Sequence, residues 1–327
     1  MVAAGCGSPV VVDAGVDAGP PQGNCEEIGP TRPPATCQCG TTSVQRCILY
    51  TNVPCGTCAA GLECVDNTCT ASDGGVADAG STGDGGVDAG TSWLRLAPGT
   101  SWQWQLTGAI DTSVDAGVFD IDLFETPQAT IDQLHSSGRT VICYFDTAFE
   151  PNRPDSAQLT PYRGNPVDGW PGQYWVDFRQ SAVRAVMSAR LDLAASKRCD
   201  AVEPDDVDAI DNDPGFPITA SDQLDFCRFL ASEAHARGLG VALKNNLAQV
   251  PQLVADFDFA VNEECFQYAE CDELLPFINA GKAVLQVEYA AGSFDTKAAQ
   301  ICPQANAKNF DSLIKHLDLD APRRSCR

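Results

Sequence analysis

Residues 199–208 read CDAVEPDDVD, a short apolar run that leads directly into a cluster of carboxylates. The apolar part predicts a strand over Asp200–Pro204. An amphipathic helical pattern precedes it at Arg179–Ser196, another follows at Ser221–Arg237, and the next strand is predicted over Gly240–Lys244. Strands that alternate with helices are typical of parallel sheets, whose carboxyl ends carry functional loops. This stretch therefore predicts a repeated strand–helix fold with its acidic residues at that edge.

The alternation continues on both sides of this stretch, from Trp93 to the end of the chain. A third helix is predicted over Ala129–Ser137. About eight strand–helix units favour a (β/α)8 barrel of the TIM type over an open doubly wound sheet, and neither phosphate-loop motif, GxGxxG or GxxxxGK[ST], occurs in the chain. The predicted strands are Trp102–Leu106, Phe119–Leu123, Thr140–Phe145, Asp200–Pro204, Gly240–Lys244, Phe257–Val261, Ala283–Val287 and Ser312–Leu317.

The first 92 residues differ from the rest in composition. Residues 1–24 and 71–92 are rich in Gly, Ala, Asp, Ser and Pro, so we expect disordered linkers there. Residues 25–70 hold eight cysteines and no histidine, which favours a small disulfide-rich module over a zinc site, although Cys55-Gly-Thr-Cys58 has zinc spacing. The connectivity stays open. We expect the barrel to occupy residues 93–327.

Cys6 follows Ala3-Ala4-Gly5 and precedes a Gly- and Asp-rich tether, which resembles the lipobox of bacterial lipoproteins. The resemblance implies lipidation of Cys6, and the alternative is a free or structural thiol. The 16 cysteines of the chain indicate an oxidising compartment. We therefore expect an extracellular or surface-anchored bacterial protein that meets a membrane only through a lipid.

The chain is strongly acidic, with a net charge of −23. This charge excludes nucleic acid as a partner, because phosphates demand Lys and Arg, and it disfavours docking on anionic membranes. Ten of the 44 acidic and two of the 21 basic side chains precede residue 93. The barrel thus keeps 34 acidic against 19 basic side chains. Such a surface suits a cationic partner, although acidity also serves solubility.

The chemistry that the barrel offers is that of carboxylates. The three histidines, His135, His235 and His316, fall in helices or in the terminal segment, G-x-S-x-G is absent, and no histidine spacing suggests a metal. No cofactor is expected. Asp205 and Glu263 end two different strands, and two carboxylates are what glycoside hydrolysis requires. The alternative for Asp206 and Asp208, in the same acidic cluster, is helix capping.

These motifs together resemble glycoside hydrolase family 114, the endo-α-1,4-polygalactosaminidases, over residues 98–327. The resemblance implies a (β/α)8 barrel that cuts galactosamine polymers internally with retention, with Asp205 as nucleophile and Glu263 as acid/base. Glu264 replaces the Gln that is more usual after this Glu, and only one of two neighbours on a strand can point inward. We expect Glu263 to be that residue. The matching motifs are WQWQL at 102–106, FDIDL at 119–123, VICYF at 141–145, VEPDDVD at 202–208, ALKN at 242–245 and VNEEC at 261–265, with Cys271 after them.

A cationic or partly acetylated galactosamine polysaccharide is therefore the expected partner. Lys244 would hold a catalytic carboxylate ionised or serve only as an ion-pair partner, and Asn245 belongs to the same motif. The candidates for holding substrate amines are Asp120, Asp122, Asp146 and Glu203. The candidates for stacking on sugar rings, each with a core position as the alternative, are Trp102, Trp104, Tyr144, Tyr268 and Tyr289.

The barrel has seven cysteines, so at least one must be free, and we expect this to be Cys143 in a central strand. Sequence separation suggests pairing of Cys265 with Cys271, of Cys302 with Cys326, and of Cys199 with Cys227. Two other functions remain open. One is a carbohydrate-binding barrel without catalysis, and the other is a surface adhesion protein that works through the cysteine-rich module.

Overall fold

The computed structural model describes residues 93–327 in full and the backbone of residues 62–65 and 68–71. Two strands in the cysteine-rich region, β1 (Leu62–Val65) and β2 (Thr68–Ala71), form an antiparallel hairpin with Cys64 opposite Cys69. The predictions for Cys6, for the linkers and for the other module cysteines lie outside the described residues. Within the described part of the chain, no helix is long and apolar enough to cross a membrane.

Eight parallel strands form the barrel wall. Their order in the sheet follows the order in the chain, and the curled sheet carries helices on its outside. A short ninth strand, β13 (Arg324–Ser325), runs antiparallel to the last one. The parallel strands are β3 (Trp102–Gln105), β4 (Val118–Asp122), β5 (Thr140–Asp146), β8 (Ala201–Asp205), β9 (Gly240–Lys244), β10 (Phe259–Glu263), β11 (Val284–Tyr289) and β12 (Asp311–Lys315).

The predicted TIM-type fold is confirmed, and every predicted strand agrees with an observed one to within about two residues at each end. The three predicted helices correspond to α1, α3 and α4. The helices are α1 (Gln128–Ser136), α2 (Ser156–Leu159), α3 (Ser181–Ser196), α4 (Ala220–Ala236), α5 (Val250–Leu253), α6 (Cys265–Tyr268), α7 (Leu275–Asn279) and α8 (Phe294–Ala307).

Strand alternation divides the core into two layers. In β8, Val202 packs in the layer between the strands and the helices, whereas Ala201 belongs to a second cluster inside the barrel. Glu203 and Asp205 follow Ala201 at steps of two residues, so they share its inward face. The same step leads from Ala242 to Lys244 in β9. Inside the barrel, the inward-facing residues of these strands are therefore apolar near the amino ends and polar near the carboxyl ends.

The first and last parallel strands meet through side chains and the C-terminal segment. The indole nitrogen of Trp102 donates to the Asp311 carbonyl at 2.8 Å, and the Leu106 amide donates to the Leu319 carbonyl at 3.0 Å. At the amino-terminal end of the barrel, the segment before β3 packs against the starts of the strands. A Cβ on Gly240 would lie 2.5 Å from the Leu94 carbonyl oxygen, so this strand start accepts only glycine.

A β-hairpin interrupts the strand–helix pattern between β5 and α3. It consists of β6 (Arg163–Pro166) and β7 (Tyr174–Val176), paired antiparallel with an irregular register. Neither strand was predicted from the sequence, because the two segments are only four and three residues long and show no clear alternation. The hairpin follows the carboxyl end of β5, so it extends the wall on the functional side.

Three disulfides stabilise the barrel, and two of them confirm predicted pairs, Cys265–Cys271 and Cys302–Cys326. The other two expectations were wrong. Cys143 is bonded to Cys199, and the free thiol is the buried Cys227. The reason is the parallel pairing of β5 with β8, which places Cys143 opposite Val202 and so brings it near Cys199, two residues before β8.

Candidate active site

An acidic cleft of about 500 Å³ lies at the carboxyl end of the barrel. Residues at or beyond the ends of all eight parallel strands line it. Two of them are basic, Arg153 and Lys244, and both are engaged in ion pairs. The acidic lining residues are Asp122, Asp146, Glu150, Asp168, Asp205, Asp206, Asp208, Glu263 and Asp318.

Asp205 is the last residue of β8 and is held by three hydrogen-bond donors. Its Oδ2 accepts from the Lys244 ammonium at 2.7 Å and from the Tyr144 hydroxyl at 3.1 Å, and its Oδ1 accepts from the Asp206 amide at 2.8 Å. The side chain keeps 20% of its surface exposed. Asp205 is thus fixed in position and still open to the cleft.

Glu263 is the last residue of β10 and faces the same space. Its Oε2 lies 3.1 Å from the Lys244 ammonium and accepts from the Asn245 amide at 3.3 Å, and the Tyr289 hydroxyl donates to Oε1. Asn245 also accepts from the Glu263 backbone amide at 3.0 Å. Glu264 adopts a left-handed conformation (φ 57°) after the strand and does not line the cleft.

Lys244 links the two carboxylates. Its ammonium contacts Asp205 and Glu263 from below and lies 3.2 Å from Glu203, while the Trp104 ring centroid is 4.7 Å away. Burial opposes the charge of this side chain, but the surrounding carboxylates outweigh burial and raise the pKa of Lys244 well above its usual value. Lys244 is therefore a permanent cation within the carboxylate cluster.

Asp120 and Glu203 lie one layer below, and neither lines the cleft. Both are fully buried, Glu203 lies 3.2 Å from the Lys244 ammonium, and neither Asp120 oxygen has a hydrogen-bond partner outside the pair. Burial raises the pKa of Asp120 to about 7, and burial together with the charge of Asp120 raises that of Glu203 well above its usual value. Raised pKa values of two neighbouring carboxyls favour a state in which the pair retains a proton. The predicted contact of these two residues with substrate amines has no support from their positions.

Asp122 and Asp146 both line the cleft. Asp122 is bound by the Arg153 guanidinium at 2.7 Å and accepts backbone amides of the following turn at 2.7 and 2.6 Å. Asp146 accepts the Ala148 amide at 2.6 Å and lies beside Asp206. Burial, followed by nearby carboxylates, raises the pKa of Asp146 to about 7.

The helix-capping alternative for Asp206 and Asp208 required that their side chains accept backbone amides of a helix start. Neither side chain does so. The α4 helix begins with a capping box formed by Thr219 and Asp222. Asp208 precedes a short 3₁₀ turn without a side-chain cap, and burial followed by the Asp205 charge raises its pKa to about 7. Burial raises the pKa of Asp206 well above its usual value. Asp208 thus adds a carboxyl that changes charge near neutral pH.

Trp104, Tyr144 and Tyr289 all line the cleft, and the two tyrosines bind the two strand-end carboxylates. Trp102 is buried in the barrel interior, and Tyr268 is exposed outside the cleft. Sequence reasoning missed Glu150, Arg153, Asp168, Trp170, Gln173, Trp175, Asn212 and Asp318, which also line the cleft. The available signal was the Trp-Pro-Gly turn at 170–172 within a polar stretch.

No histidine lines the cleft. His135 and His235 pair with Asp200 and Asp258. His316 directly follows β12 and contacts Asp320 at 3.0 Å. The arrangement therefore offers acid–base and nucleophilic chemistry by carboxylates.

The comparisons with known proteins agree with this geometry. The model of glycoside hydrolase family GH114 matches residues 86–327. The crystal structure of Aspergillus fumigatus Ega3 in complex with galactosamine is 39% identical, covers 74% of this chain and 100% of its own, and has a TM-score of 0.69. No curated protein matches the chain.

The glycoside hydrolase domain of PelA from Pseudomonas aeruginosa shares the fold at 12% identity, with 69% of this chain and 98% of that chain covered and a TM-score of 0.57. The family match covers well over half of the chain, and the Ega3 likeness extends over the full length of Ega3. The chain therefore belongs to glycoside hydrolase family GH114 and is a glycosidase.

Proposed function

We propose that the protein cuts an α-1,4-linked galactosamine polysaccharide internally, with retention of configuration, using Asp205 as the nucleophile and Glu263 as the acid/base. The observation that carries the proposal is the Lys244 ammonium, which holds one oxygen of each carboxylate at 2.7 and 3.1 Å. The distance between those two oxygens cannot exceed the sum of their distances to the Lys244 nitrogen. They are therefore closer than the roughly 6.5 Å at which inverting pairs begin.

The roles follow from what each carboxylate contacts. Asp205 receives the Lys244 ammonium, a tyrosine hydroxyl and a backbone amide, which together hold its carboxylate oxygens in the fixed orientation that a nucleophile needs. Glu263 would protonate the glycosidic oxygen as the sugar carbon is attacked, and would then take a proton from the water that releases the glycosyl–Asp205 intermediate. Asn245 orients Glu263 by bonding both its side chain and its backbone.

The substrate assignment rests on charge and likeness. Ega3 was solved with galactosamine, and it is similar to this chain over its whole length. A deacetylated galactosamine polymer is a polycation, and the cleft presents nine carboxyls with both of its basic residues engaged in ion pairs. An acidic cleft concentrates such a polymer near the catalytic pair.

The test is release of reducing ends from purified α-1,4-galactosamine polymer. We expect Asp205→Asn and Glu263→Gln each to lower kcat about a thousandfold or more, because each removes one half of the double displacement. Glu264→Gln is the matched control and should stay near wild type. Proton NMR of the first products should show the α-anomer. Loss of activity in Glu264→Gln, or a β-anomer formed first, would contradict the assignment.

Partly acetylated polymers belong in the same experiment. If no polymer is cut while binding persists, the non-catalytic barrel is the better description. An extracellular location and a lipid on Cys6 also remain part of the proposal, and the three barrel disulfides support an oxidising compartment. Metabolic labelling with palmitate, compared with Cys6→Ser, tests the lipid.

A further inference from the structure

The tip of the β6–β7 hairpin is a compact, closed turn that borders the cleft. The Trp170 amide donates to the Val167 carbonyl at 3.2 Å, and the Gln173 amide donates to the Trp170 carbonyl at 3.1 Å. The Val167 amide closes the turn on the Gln173 carbonyl, also at 3.1 Å. Gly169 and Gly172 supply the positive φ angles of 79° and 92° that the turn requires.

The base of the hairpin is fixed to the barrel. Phe149 and Tyr174 exchange two backbone hydrogen bonds of 2.8 and 3.0 Å. The Arg163 guanidinium lies 4.7 Å from the Phe149 ring centroid and 5.0 Å from that of Tyr174. The hydrogen bonds of the turn and the contacts at the base together fix the tip. Ligand binding to the tip would therefore cost little conformational entropy.

Trp170 leaves half of its surface exposed on this tip, in contrast to Trp102 and Trp104, which are buried. It also lines the cleft, together with Asp168 two residues earlier. A large aromatic side chain that is half exposed at the edge of a ligand cleft indicates a contact surface for a ligand.

The pair Trp170 and Asp168 matches the chemistry of an amino sugar. A pyranose ring presents C–H groups on one face, which stack on an indole, and the amine on C2 is cationic when free. An indole face attracts C–H groups and cations, and a neighbouring carboxylate pairs with the ammonium. Trp170 and Asp168 are separate from the Lys244, Asp205 and Glu263 cluster, to which neither is bonded.

We propose that Trp170 and Asp168 form an additional sugar-binding platform, on which a galactosamine unit of the polymer away from the cleavage point stacks. The inference rests on the proposed function for the identity of the sugar. It makes Trp170 a residue that determines affinity for long chains, which we expect to extend from the catalytic centre to the hairpin.

Binding separates this platform from catalysis. In the Asp205→Asn background, which leaves the polymer uncut, titration calorimetry with galactosamine oligomers should show Kd raised about threefold to tenfold by Trp170→Ala. Trp170→Phe should keep most of the affinity. Tyr268→Ala is the matched control, because Tyr268 is 63% exposed and lies outside the cleft. Asp168→Asn should weaken binding of deacetylated oligomers only.

In the active enzyme, Trp170→Ala should raise KM for the long polymer and leave kcat at saturation unchanged. Equal Kd values for Trp170→Ala and Tyr268→Ala would overturn the platform even if the polymer is cut normally. Trp170-dependent binding without any hydrolysis would retain the platform and reject the proposed catalysis. Absence of binding to every variant, together with absence of hydrolysis, would reject both.

Discussion

A single buried cation organises the residues of this site. Lys244 is almost fully buried, and it contacts the two proposed catalytic carboxylates at their lower edge and Glu203 beneath them. One ammonium cannot neutralise the three carboxylates that it contacts together with the neighbouring carboxyl of Asp120. The raised pKa values of Asp120 and Glu203 indicate that the lower pair retains a proton, which reduces the excess of negative charge. Proton sharing below the site leaves the full charge of Lys244 available to Asp205 and Glu263.

Glu203→Gln should therefore be tolerated, and its benefit should grow with pH. The folded-state pKa values of Glu203 and Asp120 are raised, so the folded protein binds more protons than the unfolded chain, and wild type loses stability as pH rises above about 4 and through the Asp120 pKa of about 7. Glutamine cannot ionise, so it removes part of this loss. We expect equal Tm values near pH 4.5 and an excess of roughly 2–4 °C for Glu203→Gln at pH 8.

Thermal melts at the two pH values measure this difference. Glu273→Gln, at an exposed position on the outside of the barrel, is the matched control, and its Tm should follow that of wild type. A Tm for Glu203→Gln that is lower by the same amount at both pH values would contradict proton sharing. It would instead indicate that Glu203 is needed as an anion against Lys244.

At the scale of elements, hydrophobic periodicity in the sequence was sufficient to predict the positions of the wall strands. Most wall strands carry apolar residues along their length and end in polar ones, so both their place and their functional end could be predicted. Strand alternation also favoured Glu263 over Glu264, and only Glu263 lines the cleft. Depth along a strand was not predictable in this way. Glu203 and Asp205 share a face and differ by one layer, which alone buries the first and exposes the second.

Contacts between elements were less accessible to sequence reasoning. Cys143 pairs with Cys199 across 56 residues, because β5 and β8 are neighbours only after the hairpin and α3 are passed over. Sequence separation had favoured partners that lie nearer along the chain. The hairpin was missed for a related reason, since its strands pair with each other locally and contribute few apolar residues to the core.

The Cys143–Cys199 bond should be a main contributor to barrel stability. The loop that it closes, of 56 residues, corresponds to about 4 kcal/mol of reduced unfolded-state entropy. We expect the double variant Cys143→Ala, Cys199→Ala to melt at least 8 °C below wild type, by about 2 °C or more per kcal/mol. Cys227→Ala is the comparison, because it removes a buried thiol without breaking a bond.

Alkylation of the denatured, unreduced protein checks the pairing directly. Within peptides from residue 93 onward, mass spectrometry should find the label on Cys227 and on no other cysteine. Label on Cys143 would restore the sequence-based expectation and contradict the bond.

At the scale of the whole molecule, the acidity of the chain is concentrated where the proposed substrate binds. Cleft carboxyls with a pKa of about 7, Asp146 and Asp208, are neutral below that pH and ionise above it. Raising the pH from 5.5 to 7.5 therefore adds negative charge to the cleft. An arriving ammonium group favours the same ionisation, so substrate binding and proton release are coupled.

Two dependences of KM for deacetylated polymer follow. Between pH 5.5 and 7.5, the ratio of the KM of Asp208→Asn to that of wild type should rise, because the variant lacks one of the cleft groups that ionise, and a loss of charge from the polymer amines affects both enzymes equally. Raising the salt concentration from 50 to 500 mM should increase KM roughly tenfold, because counterions screen the attraction between polymer and cleft. A fully N-acetylated polymer carries no charge, so its KM should not respond to salt. An equal salt response of both polymers would mean that the acidity serves solubility and does not attract the substrate.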